Sequence, residues 1–127
     1  MQAAPNPLFG KSFLVVEDEV LIALNIETWL EDAGAGRVET VHRLSSAQRA
    51  LSEGGPFDAV VLDFRLADED ATPLIEVVRD RQIPVLLTTG DGALLREFPA
   101  SPAMIILEKP FSENLFIASL VKLLSRS

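Results

Sequence analysis

Four short runs of unbroken apolar residues, Phe13–Val16, Ala59–Leu62, Val85–Leu87 and Met104–Leu107, constrain this chain more than any other feature. A strand with one solvent face alternates apolar and polar side chains. These runs do not alternate, so each is expected to be buried on both faces, as in a parallel sheet covered by helices on either side. The intervening segments supply the helices. Ile22, Ile26, Trp29, Leu30 and Ala33 recur at helical spacing and stop at Gly34 and Gly36. Val38–Val41 reads as a weaker second strand. Ser45 and Gln48 form a capping-box pattern opening a second helix that ends at Gly54 and Gly55. Thr72 and Pro73 read as the N-cap and first residue of a third helix carrying Leu74, Val77 and Val78. A short helix around Leu94–Phe98 is cut off by Pro99 and Pro102, and Ser112 caps a last helix carrying Phe116, Leu120 and Leu124. Five β-α units result, which predicts an α/β fold: a single doubly wound (βα)5 domain with a five-stranded parallel sheet.

Composition narrows the function. A length of 127 residues predicts one domain, and no repeat, low-complexity tract or linker divides it. Residues 1–10, with two prolines, are expected as a flexible tail and residues 11–127 as the domain. The absence of Cys excludes disulfides, thiolate metal sites and a cysteine nucleophile, and one His excludes a multi-histidine cage. Eleven Lys and Arg against 19 Asp and Glu give a net charge of -8, which argues against nucleic-acid or anionic membrane partners. The longest apolar run, Ala103–Leu107, is far too short to span a bilayer, and no signal-peptide pattern opens the chain. A soluble, cytoplasmic protein is expected.

In an open α/β sheet, ligands bind beyond the carboxyl ends of the strands. Those ends deliver Glu17 and Asp18, then Asp63, then Thr88 and Thr89, then Glu108 and Lys109. Three clustered carboxylates repel one another and call for a cation, and all-oxygen ligands select Mg²⁺, Ca²⁺ or Mn²⁺. Lys109 and a threonine hydroxyl suit phosphoryl oxygens, and an aspartate can attack phosphorus. Any one of these residues taken singly is better explained as a solvated loop residue or helix cap. The weight comes from four strand ends carrying complementary parts.

Val15–Asp18, Val60–Asp63, Pro84–Thr89 and Lys109–Phe111, in this order and spacing, resemble the receiver domain of two-component response regulators (CheY-like) over about Lys11 to Ser127. The resemblance implies a flavodoxin-like strand order, 2-1-3-4-5. It implies that Asp63 is the phosphoacceptor, that Asp18, Asp63 and the backbone carbonyl of Arg65 ligate Mg²⁺ (or Mn²⁺), and that Glu17 supports the ion through water. Thr89, five residues after Pro84, takes the family's hydroxyl position. Lys109 matches the phosphoryl-contacting lysine, and Lys109-Pro110 the family's cis peptide. Arg65 and Asp91 occupy positions that tune hydrolysis. The implied partners are a sensor histidine kinase or histidine phosphotransfer protein as donor and a downstream protein as target. A monomer or weak dimer is implied. The protein would catalyse only its own phosphorylation and dephosphorylation.

Several positions depart from the family. Ile106 stands where a switch aromatic is usual, three residues before Lys109; Ala67 and Ala71 stand where Pro and Gly are common. Gly90 after Thr89, together with the lost aromatic, is similar to an atypical α-proteobacterial subgroup whose motif has Tyr at the position of Asp91. Trp29 is expected in the core, His42 on the surface and Asp68–Asp70 in a solvated loop. A stand-alone phosphoacceptor receiver is the leading reading, and a phosphorylation-independent interaction module of the same fold is the alternative. A metal-dependent phosphatase lacks a cap domain or phosphate loop, and the acidic exit of the first strand disfavours a flavodoxin-like cofactor binder.

Overall fold

The computed structural model describes residues 6–67, 69–93 and 103–125. Strands β1 (Ser12–Val16), β2 (Arg37–Val41), β3 (Ala59–Asp63), β4 (Val85–Thr89) and β5 (Met104–Glu108) form one parallel sheet in the order β2-β1-β3-β4-β5. This is the flavodoxin-like order expected. Helices α1 (Val20–Asp32), α2 (Leu44–Arg49), α3 (Thr72–Asp80) and α4 (Glu113–Ser125) flank it. The short helix expected around Leu94–Phe98 lies outside the described residues.

The apolar runs of β1, β3 and β4 are buried on both faces, whereas β5, at the edge of the sheet, keeps Met104, Ile105 and Ile106 only partly buried. Alternate residues of the strands enter two separate cores. Leu14, Val16, Val60, Leu62 and Leu87 pack with Leu51, Leu74 and Val78 from the α2–α3 side. Phe13, Val15, Val61, Leu86 and Leu107 pack with Ile26, Leu30 and Phe116 from the α1–α4 side. Trp29 is only partly buried, set edge-on to Phe111 with ring centroids 6.2 Å apart and 5.5 Å from Phe116.

Three local expectations are corrected. Residues 6–10 are not a free tail. Leu8 is fully buried in the α1–α4 core, Gly10 N–H donates to the Gly34 carbonyl, and Asn6 Nδ2 donates to the Ala33 carbonyl. Burial of one apolar side chain outweighs the local irregularity that two prolines suggest. The second helix starts at Leu44 with Arg43 as N-cap and makes no side-chain cap, so Ser45 and Gln48 form no capping box; it continues as a wider π turn over Ala50–Gly54. In α3 the N-cap is Ala71, and Pro73 sits one residue later than expected. The Thr72 N–H is instead taken by Asp70 Oδ1 at 3.0 Å. Ser112 does cap α4, its Oγ accepting the Leu115 N–H at 3.1 Å.

Beyond β3, Arg65–Leu66 pairs antiparallel with Glu69–Asp70, making a small hairpin where a loop was expected. Glu69 and Asp70 are exposed, as expected for a solvated segment, and Leu66 is buried.

Candidate functional site at the carboxyl edge of the sheet

Parallel register brings the strand ends together. Asp63 pairs with Thr88, Thr88 with Leu107, and Thr89 with Glu108, so the residues that follow β1, β3 and β5 converge on one edge. Glu17, Asp18 and Asp63 each offer a carboxylate oxygen, all within 4.8 Å of one another. Lys109 Nζ approaches from β5, 3.0 Å from Glu17 Oε1 and 3.2 Å from Asp63 Oδ2. Glu19 Oε2 lies farther off, at 3.9 Å.

Backbone donors fix the carboxylates. Glu17 Oε2 accepts the Glu19 N–H at 3.1 Å, and Asp63 Oδ1 accepts the Arg65 N–H at 3.2 Å. Asp18 Oδ2 accepts the Ala67 N–H at 2.7 Å. The backbone carbonyl of Glu17 meets His42 Nδ1 at 2.8 Å; a carbonyl only accepts, so Nδ1 carries the proton. His42 is otherwise exposed, as expected.

The electrostatics show a shortage of positive charge. Glu17 is 1% exposed and Asp63 5%. Burial, reinforced by the Asp63 carboxylate, pushes Glu17 up to about 7. Burial also raises Asp63, against the opposing pull of its hydrogen bonds and Lys109. For Lys109, burial works against its charge, but contact with Glu17 and Asp63 outweighs it and the ammonium is held above its usual range. Glu17 Oε1 is buried and, despite its 3.0 Å ion pair, makes no well-angled hydrogen bond. An incompletely satisfied oxygen facing two more carboxylates fits a hard divalent cation.

Glu17, Asp18, Asp63 and Lys109 therefore meet as the sequence reading expected. Others do not join them. Thr89 is buried, but its hydroxyl accepts the Asp91 N–H at 3.0 Å instead of contacting Asp63. Asp91 uses its own carboxylate to accept the Ala93 N–H. Glu108 is exposed and its carboxylate borders Gly92. The Arg65 side chain is exposed, and its strand partner in the hairpin is Asp70. Ile106, at the switch-aromatic position, packs against the α2–α3 core. The Lys109-Pro110 bond is cis, as expected, and so is Gly55-Pro56. The sequence reading missed the Ala67 N–H. A backbone donor from a tight hairpin leaves no side-chain signature, and the acidic Glu17–Glu19 run was the only hint of Glu19. A cavity of about 670 Å³, walled by Lys11, Phe57, Arg81 and Pro84, opens at the opposite, amino-terminal edge.

A family profile described as the response regulator receiver domain matches residues 13–121. The chain is 32% identical, over 93% of its length, to the transcriptional regulatory protein GltR of Pseudomonas aeruginosa, and spans about half the length of that relative. Among solved structures it is similar to a response regulator receiver protein from Sinorhizobium medicae (32% identity, 93% of this chain and 98% of that one, TM-score 0.81). It is also similar to SdrG from Sphingomonas melonis (34% identity, 90% and 96%, TM-score 0.68). The profile covers most of the chain and the sheet order agrees with it: this protein belongs to the response regulator receiver family of two-component signalling.

Proposed function

We propose that the protein accepts a phosphoryl group on Asp63 from a histidine kinase or histidine phosphotransfer protein, with Mg²⁺ or Mn²⁺ bound, and signals through protein contacts. The observation that carries this reading is the placement of a buried Asp63 carboxylate between Lys109 Nζ at 3.2 Å and the carboxylates of Glu17 and Asp18.

Asp18 and Asp63 would hold the cation directly, with the Arg65 carbonyl as a further ligand and Glu17 in support through water. When bound, it supplies Lewis-acid neutralisation of phosphoryl oxygen charge. The chain's own residues do the rest. An Asp63 carboxylate oxygen forms the bond to phosphorus as the phosphorus–nitrogen bond of the donor phosphohistidine breaks, and the imidazole leaves with a proton. Lys109 balances charge on the phosphoryl oxygens. Later hydrolysis returns Asp63 and inorganic phosphate. The Thr89 hydroxyl would leave the Asp91 amide for the phosphoryl group, biasing the face built by β4, β5 and α4.

A protein donor is supported by the surface beside the site. Val20, Leu21 and Leu24, at the start of α1, are 66%, 77% and 55% exposed, directly after the acidic run. Apolar exposure of this kind marks a contact with another macromolecule. Among the described residues no helix is long and apolar enough to cross a membrane. The position of Gly90 and the loss of the switch aromatic to Ile106 support an atypical subgroup in which the usual threonine–aromatic coupling does not operate.

Incubation with Mg²⁺ and a small phosphodonor, followed by intact-mass measurement, tests the reading. One added phosphoryl group, lost in D63N, is expected. No addition, or addition that survives D63N, would overturn it and favour a phosphorylation-independent interaction module.

A further inference from the structure

The hairpin after β3 does something to the site that its sequence does not announce. Leu66, 2% exposed, anchors the hairpin in the α2–α3 core, and the register pairs Leu66 with Glu69. The chain therefore reverses direction after Leu66. Ala67 turns with φ 57°, in the left-handed region that a non-glycine residue rarely adopts. Another non-glycine residue in this region, Gln82 at φ 60°, is explained by the end of α3, where the Gln82 and Ile83 N–H groups bond the Arg79 and Val78 carbonyls. Ala67 has no such helix end. Its N–H donates to Asp18 Oδ2, 2.7 Å away and 49 residues distant in sequence. Asp18 lies in the loop between β1 and α1 and is only partly buried.

We infer that the backbone N–H of Ala67 is the positioning group for Asp18: it occupies Oδ2 and holds the carboxylate turned toward Glu17 and Asp63. The inference rests on the reading of these three residues as a divalent-cation site. Alanine at this position is then a functional choice. Proline, common here in the family, has no N–H and is confined to negative φ, so a chain with proline cannot make this bond. Outer contacts that orient metal ligands commonly change metal affinity by about 10- to 100-fold when removed.

Isothermal titration calorimetry of the full chain with MgCl₂ alone tests it, with fold integrity followed by circular dichroism in EDTA. The unaltered protein should bind Mg²⁺ and D18N should not. Ala67→Gly keeps the donor and accepts positive φ freely, so its dissociation constant should stay within about twofold. Ala67→Pro should bind about 10-fold more weakly. If that variant does not fold, Ala67→Val retains the N–H but resists positive φ, and it should bind more weakly than Ala67→Gly. Mg²⁺ binding by the unaltered protein with equal or tighter binding by Ala67→Pro (or by Ala67→Val in its place), or a loss in Ala67→Gly matching that of Ala67→Pro, would overturn the positioning role and leave the cation site standing. No binding by the unaltered protein, or undiminished binding by D18N, would overturn the cation site itself and this inference with it.

Discussion

Glu17 follows β1 with one carboxylate oxygen against Lys109 and the other on the Glu19 amide, yet burial holds it at about 7. Its folded value lies above its ordinary 4.5, so the folded state binds the proton more tightly than the unfolded chain. The contribution of Glu17 to the stability of the metal-free protein is then fully present below about 4.5 and is lost as pH rises through about 7. That loss should be about 3 kcal/mol. Urea midpoints measured in EDTA at several pH values will show it, and E17Q should reduce the slope. Lys109 plays the opposite part by neutralising both buried carboxylates. K109M should slow phosphorylation by a small phosphodonor by about 10²-fold, comparable to losing one preorganised donor to developing oxygen charge. Single-turnover intact-mass kinetics would check this.

At the scale of elements, the amino-terminal turn clamps the carboxyl end of α1 to the sheet. Gly36 N–H donates to the Lys11 carbonyl at 2.9 Å, and Leu8 fills a slot in the α1–α4 core. Leu8→Ala should therefore cost about 2–5 kcal/mol, read as a drop in thermal midpoint. Gly34 has φ +93°, and a Cβ there would stand 2.8 Å from the Phe9 ring. Gly34→Ala should thus destabilise through the backbone as well as the contact. A removable tail would give neither result. This clamp was illegible in the sequence, because Leu8 and Phe9 sit between prolines and a glycine with no periodicity to mark them. The strands were legible for the opposite reason. Only a doubly covered sheet tolerates unbroken runs such as Ala59–Leu62, and α4 announced itself through Ser112 and the spacing of Phe116 and Leu120. The start of α2 was misread because Ser45 and Gln48 match a capping pattern that the backbone, turning two residues earlier at Arg43, never uses.

For the whole molecule, fold stability and the carboxyl-edge site are coupled through charge. Three carboxylates facing one ammonium are tolerated without metal mainly because Glu17 can hold a proton. A divalent cation that competes with that proton should stabilise the protein more at pH 8 than at pH 5.5. Thermal melts with and without excess MgCl₂ will measure it, and D18N should abolish the difference. Equal stabilisation at both pH values, or stabilisation that survives D18N, would break the proposed link between proton and metal.

The division between sequence and tertiary structure follows from the range of the interactions. The sequence by itself determined the parallel α/β class and the identity of Glu17, Asp18, Asp63 and Lys109, because burial on two faces and charge at strand ends are written in local residue type. Only the tertiary structure decided which donors orient those groups. The Ala67 N–H on Asp18, the Asp91 N–H on the Thr89 hydroxyl and the docked Leu8 depend on backbone direction and on packing between residues. Backbone amides are the same in every residue but proline, so no pattern of side chains can say where one of them points.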